Sequence, residues 1–229
     1  FILLTCLLLC AYACGKRPYP KSLIVADSLA SARPDSAIAL LNTLKESMKA
    51  ESEATRMYYR LLCIKANDKA YIRHTSDSLI LPVLHYYTEK KDEHHLPEAY
   101  YYAGRVYRDL EDAPLALDYF QKAIDALPDN KGYRLKSKIY SQMGTLFLYQ
   151  KTYDEALKIL KEARKCNIAL KDSASMVFNL RDIANGYRCL DQNDSSLYYL
   201  RKAYYIAKVL RNYDLMAMVQ SQMASLYIE

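Results

Sequence analysis

Tyr100, Gly104, Tyr107, Ala116, Phe120 and Ala123 return, each number raised by 40, as Tyr140, Gly144, Phe147, Ala156, Leu160 and Ala163. A further shift of 40 gives Leu180, Ala184, Tyr187, Ser196, Leu200 and Ala203, and a third gives Gln220, Ala224 and Tyr227. The order of sizes is kept throughout: large, small, aromatic, small, large apolar, small. Self-similarity at such a period marks an array of units that bury their apolar faces only by stacking on one another. Two antiparallel helices per unit account for the pattern. Small residues at Gly104, Ala116 and Ala123 let the backbones approach, while the aromatic and large positions fill the gap and touch the next unit.

The counts agree with an all-helical reading. Hydrophobic residues make up 52% of the 229 and charged residues 25%, too much apolar surface for a disordered chain. Only five Gly and seven Pro are present, few for a sandwich or barrel that turns often. No segment shows the two-residue alternation of a half-buried strand. About 11 helices and no strand are expected.

The repeating order, with Pro128 closing its first copy, resembles the tetratricopeptide repeat (TPR) over about Glu98 to Tyr227. The resemblance implies a right-handed α-solenoid of antiparallel helix pairs, near-regular over 96–229, with its last repeat truncated. The family repeat is ~34 residues, so each copy here is longer. The spacing from Pro128 to Tyr140, and from Ile168 to Leu180, puts the extra length between repeats. Ile168 and Lys208 stand where the first copy has its helix-ending proline, so the second helices of those copies can run on about another turn.

Upstream, over 22–95, the pattern decays into degenerate helical pairs. Leu23, Ala26, Leu29 and then Ala37, Leu40, Leu41, Leu44 predict one pair, broken at Arg33–Pro34 and capped by Asp35 or Ser36. Met57, Leu61, Ile64 and then Leu79, Val83, Tyr86 predict another, with Pro82 tolerable near a first turn.

The first thirteen residues, FILLTCLLLCAYA, carry no charge. They are too short to span a bilayer and fit the apolar core of an export signal whose start is missing. Cys14 then resembles the lipid-attachment cysteine of bacterial lipoproteins, with 14–21 as an anchored linker; ordinary cleavage before Cys14 is the other reading. The stretch ADSLASARPDSAIALL is similar to the opening of TPR lipoproteins of Bacteroides-like bacteria. That resemblance implies an exported protein, lipid-anchored on the periplasmic or extracellular side of the cell envelope.

Catalytic and metal chemistry find little support. His94 and His95 lack the spacing of a metalloprotease pair and read as a solvated turn before Pro97; His74 and His85 read as surface or boundary residues. Glu111–Asp112 and Asp154–Glu155 fall where helices start and stabilise the positive helix end. Cys63, Cys166 and Cys189 form no paired spacing and read as buried thiols. No cofactor, metal or enzyme activity is expected. A net charge of +6 spread along the chain gives no case for nucleic acid. Paired tyrosines such as Tyr58–Tyr59, Tyr198–Tyr199 and Tyr204–Tyr205 face different ways on a helix, so one packs while the other reaches a surface. They are repeat filler or, alternatively, a sugar-binding face.

Function then rests on the groove that TPR first helices line. Its positions hold Glu98, Tyr101, Arg105 and Arg108 in the first copy. The second copy has Lys138, Ser141, Thr145 and Leu148, and the third Phe178, Arg181, Asn185 and Arg188. This groove is polar and basic. Arg181 and Asn185 resemble half of the clamp with which some TPR proteins hold a peptide carboxylate, although Gln222 stands where the clamp has Asn. The other reading pairs the groove internally through Glu98 and Asp182. The expected function is a membrane-anchored scaffold for a peptide or partner protein; the sensory ectodomain of a longer regulator is the alternative, and a glycan-binding lipoprotein the third.

Overall fold

The computed structural model describes residues 19–128 and 132–226. The signal-like segment, Cys14 and Tyr227 lie outside the described residues. Among the described residues there are eleven α-helices, one short 3-10 helix and no strand, as the repeat pattern and composition require. The chain divides into two compact units, Phe1–Tyr86 and Tyr87–Glu229.

In the first unit, α1 (Lys21–Ala32), α2 (Pro34–Leu44) and α3 (Glu53–Lys69) pack on one another, with a 3-10 turn at Ser47–Ala50. Their shared core is Leu23, Ala26, Ala37, Leu41, Tyr58 and Leu62. The cap of α2 differs from expectation. Pro34 takes the first helical position, where a missing N–H is no loss, and Arg33 becomes the cap. Asp35 is left inside the first turn, where its charge still favours the positive helix end. Ser52 caps α3, accepting a hydrogen bond from the Thr55 N–H at 3.3 Å. His74, expected near the surface, is buried, whereas His85 on α4 (Ile80–Glu89) is exposed.

The second unit carries the repeats. Its helices are α5 (Leu96–Asp109), α6 (Ala113–Asp125), α7 (Tyr133–Tyr149), α8 (Tyr153–Leu170), α9 (Ser173–Arg188), α10 (Asn193–Val209) and α11 (Tyr213–Ser225). Each helix packs on the next, and the first helices α5, α7 and α9 also touch in succession, the contact pattern of a solenoid. In the first copy α6 ends at Asp125 and α7 begins at Tyr133, so the extra length of the repeat lies between the repeats as expected. In the second copy it lies inside the helices and not between the repeats as expected. Only Lys171 and Asp172 separate α8 from α9. The predicted extension is present: α8 and α10 run past Ile168 and Lys208 to 18 and 17 residues, while α6 stops after 13, ahead of Pro128.

A second period, half the length of the first, comes from the turns. Tyr71, Lys91, Glu111, Lys151, Lys171, Asp191 and Arg211 all have positive φ, from 49° to 66°. Each of these turns closes with the same pair of backbone bonds. At the α5–α6 turn, Asp112 N donates to Tyr107 O and Glu111 N to Arg108 O. This is a Schellman closure, in which a left-handed residue satisfies the last carbonyls of a helix. Asp112, Asp172 and Asn212 then cap the next helix through side-chain acceptors at 3.0 Å. Asp154 and Glu155 lie in the first turn of α8, as expected from the helix dipole.

The repeating small and large residues are the core of this unit. Gly104, Ala116, Phe120, Ala123, Gly144, Ala156, Leu160, Ala163, Ala184, Leu200 and Ala203 are buried, and so is Tyr107. Tyr100, Tyr140, Phe147 and Tyr187 are half-buried. A Cβ on Gly104 would sit 2.5 Å from the Phe120 ring, which explains the glycine. Ala224 is exposed, since no helix follows α11 among the described residues.

Candidate partner-binding groove

Two clefts open on the first-helix face of the second unit, and the predicted groove residues of the third copy line both. In one, of about 250 Å³, Thr145, Leu148 and Tyr149 of α7 meet Arg181, Asp182 and Asn185 of α9 and Gln222 of α11. Asn185 and Gln222 also line the other, of about 150 Å³, together with Arg188, Ser196 and Ser225. Repeat phasing explains the convergence. The groove positions of α7, α9 and α11 recur once per repeat, so stacking brings them side by side.

Arg181 does not stand open. Its Nε and Nη2 donate to Asp182 Oδ1 at 2.9 and 2.7 Å, and Nη1 lies 3.2 Å from Met218 Sδ on α11. The guanidinium carbon sits 5.4 Å from the Phe178 ring centre. Burial pushes the Asp182 carboxyl above its ordinary value, and the charge and hydrogen bonds of Arg181 pull it back only in part. Asp182 is therefore the internal partner that the paired-groove reading expected. Arg188 donates to Asn185 Oδ1 at 3.2 Å, so the amide and both guanidinium groups form one polar strip along α9.

The other groove residues do not join these clefts. Tyr101 is buried, edge-on to Tyr102 and tilted against Phe120, so it is a core residue and offers no groove surface. The Glu98–Tyr101 offset that places it inward also drives its ring into the α5–α6 gap. Arg108 is held by Asp109 at 2.6 Å and by Gln142 of α7 at 2.6 Å. Arg105 is half-buried and Lys138 exposed, and neither lines either cleft. Asp109 and Gln142 were not foreseen. An acid directly after an arginine, as at both Arg108–Asp109 and Arg181–Asp182, was the available signal.

The remaining candidates resolve as local structure. The His94–His95 turn is less solvated than expected. Asp92 accepts from the His94 and His95 backbone N–H groups at 3.0 and 2.9 Å, and its other oxygen lies 2.9 Å from His95 Nδ1. The His95 ring also stacks on Tyr87, with centroids 5.1 Å apart. Cys166 is buried; Cys63 and Cys189 are half-buried, and all three are free thiols. The tyrosine pairs split as expected at Tyr198–Tyr199 and Tyr204–Tyr205, where one ring is exposed and its neighbour half-buried. They do not split at Tyr101–Tyr102, where both are buried. No helix among the described residues is long and apolar enough to cross a membrane.

No protein-family profile matches the chain, and no curated protein matches it in sequence. Its likeness is to solved structures. A STAND signal-transduction ATPase with a tetratricopeptide repeat sensor, from Pyrococcus horikoshii, superposes with a TM-score of 0.75 at 16% identity, over 90% of this chain and 32% of that one. A Rap protein complexed with competence and sporulation factor gives 0.68 at 14% identity, over 90% of this chain and 59% of that one. A Podospora anserina kinesin light chain with TPR-like repeats gives 0.62 at 13% identity, over 83% of this chain and 95% of that one. The chain thus spans about a third to three fifths of the first two. Identities this low speak for the fold, and the fold is TPR-like.

Proposed function

We propose that the protein is an interaction scaffold whose first-helix face holds a peptide or partner protein carrying an acidic or C-terminal carboxylate. The supporting observation is the convergence of Arg181, Asn185 and Gln222, from two successive first helices, on one cleft beside Thr145. A guanidinium and amides on one face can hold both oxygens of a carboxylate by charge-assisted bonds. Asp182 occupies Arg181 in the free protein, so an incoming carboxylate exchanges with it. The Rap protein bound to competence and sporulation factor is a precedent for a bound partner on this kind of fold. Calorimetry against peptides with a free or amidated C-terminus tests the reading. Arg181→Ala should weaken a carboxylate peptide by about 1.5–3 kcal/mol with helix content unchanged. Equal affinity for the free and amidated forms would move the site elsewhere.

The scaffold is further proposed to sit in the cell envelope on a lipid attached at Cys14, since more than one acyl chain gives firm attachment. Labelling with a palmitate analogue should mark the wild type and not Cys14→Ser. A second reading, a sensory region of a longer regulator, is favoured by the likeness to a STAND ATPase with a tetratricopeptide repeat sensor, 32% of which aligns with 90% of this chain.

A further inference from the structure

A larger cavity, about 410 Å³, lies away from the groove residues, where α8 and α10 both pack on α9. Its apolar wall is Met176 and Leu180 of α9 with Ile206 of α10. Around it stand three cations, Arg164 of α8 and Arg201 and Lys202 of α10, and two tyrosines, Tyr198 and Tyr205. No acidic residue lines it.

The cations are short of partners. Among the described residues, no salt bridge joins Arg164, Arg201 or Lys202 to a carboxylate, although Lys122, Lys158 and Lys165 elsewhere in this unit each have one. Arg164 Nε is buried without a hydrogen-bond acceptor, an unmet donor that a bound anion would satisfy. Lys202 Nζ rests 4.2 Å over the Tyr198 ring, which holds the ammonium at the rim without neutralising it. Tyr198 and Tyr205 are 52% and 68% exposed, so the mouth carries ring surface that nothing covers.

The same place in the preceding repeat differs at the residues that matter. One repeat back from Leu180 and Lys202 stand Tyr140 and Glu162. There the tyrosine lies within electrostatic reach of Glu162 and Lys165, and Glu162 pairs with Lys165 at 2.7 Å. One copy has an aromatic residue and a self-paired charge; the other has a smaller residue and unpaired cations. Binding cavities of a few hundred Å³ combine apolar walls with a few placed polar groups, as this one does.

We infer that this cavity is a second binding site, for a small amphiphilic anion with an apolar body and one carboxylate or phosphate head. The body lies on Met176, Leu180 and Ile206 between the two tyrosines. The head meets Arg164, Arg201 and Lys202. This site is independent of the carboxylate-binding groove, and its test reads a different set of residues.

Dodecanoate, below its micelle concentration, serves as the probe on the full chain with methyl-labelled methionine and isoleucine. Dodecyltrimethylammonium and dodecanol carry the same tail with a positive or neutral head. Dodecanoate should shift the Met176 and Ile206 signals and leave Met218, in contact with Arg181 of the groove, in place. Each of Arg201→Glu and Lys202→Glu, both on exposed residues, should weaken it by about tenfold or more. Leu180→Tyr, which copies the preceding repeat, should remove binding; Tyr205→Ala is the milder variant if the buried substitution unfolds the chain. Equal binding of all three heads would overturn the site, as would undiminished dodecanoate affinity in the Arg201→Glu/Lys202→Glu variant. A dodecanoate response confined to α11 signals, or a response only to a peptide carboxylate, would overturn it too.

Discussion

Gly104 on α5 and Ala184 on α9 occupy the same place two repeats apart, and the side chains they face are not alike. Gly104 faces the Phe120 ring, which leaves no room for a methyl group. Ala184 has that methyl group and shares its core cluster with Leu200. The middle copy is a hybrid, with Gly144 against Leu160. The first and third copies are therefore matched pairs across the hairpin, glycine against a ring and alanine against leucine, while the middle copy keeps a glycine against leucine.

The pairing is tested hardest at Gly104→Ala. Alanine is the better helix former by ~1 kcal/mol, yet overpacking costs ~1–3 kcal/mol, so the variant should lose up to about 2 kcal/mol in denaturant unfolding. Gly144→Ala should change stability by less than about 1 kcal/mol, because the third copy shows that a leucine accommodates an alanine there. Adding Phe120→Leu to Gly104→Ala should lower the cost of the alanine relative to its cost beside Phe120, a coupling of opposite sign to simple addition. A stabilised Gly104→Ala would break the matched-pair account.

This contrast also shows what was legible in the residues. The long period, the core set and the extended second helices followed from side-chain size and from Pro128, because packing and ring closure act through residue type. The shorter period of the turns did not. Those turns place Tyr71, Lys91, Glu111 and Lys171 in the left-handed region, where glycine would have been the sign to look for. The groove was legible in part. Arg181, Asn185 and Arg188 followed from repeat phase, while Tyr101 did not, since phase fixes direction but not how deep a large ring sinks. The cavity on the other side depended on a difference between copies, Lys202 against Glu162, and aligning for likeness hides differences.

The turns offer a smaller effect that sharpens the comparison between sequence period and backbone period. Lys171 is exposed with φ 53° and ψ 31°. A left-handed L-residue costs ~1–2 kcal/mol, and glycine removes that while adding ~0.5–1 kcal/mol of unfolded-chain entropy. Lys171→Gly should thus raise stability by about 0.5–1 kcal/mol, read as a higher urea midpoint at unchanged slope. The same substitution at Val177, buried in the second turn of α9, should destabilise instead. If both variants fall in stability, the turn backbone is not where the strain lies.

The smallest effect separates the two arginine–aspartate pairs of the groove helices. Arg108 directs its third nitrogen to Gln142, whereas the third nitrogen of Arg181 meets only the weakly accepting Met218 sulfur. Burial raises the Asp182 carboxyl above its ordinary value and Arg181 opposes the rise. Since the folded-state value exceeds the unfolded one, the native protein binds the extra proton. The linked stability is present in full below the ordinary carboxylate range and is lost as pH rises through the folded value. Removing the opposing guanidinium in Arg181→Ala should move the Asp182 midpoint further up and carry that loss to higher pH. A carboxyl-carbon NMR titration of Asp182 in both proteins measures the shift, with Asp182→Asn assigning the signal. An Asp182 midpoint that stays put or falls in Arg181→Ala would mean that Arg181 does not hold this carboxylate, and the exchange proposed for an incoming peptide would lose its basis.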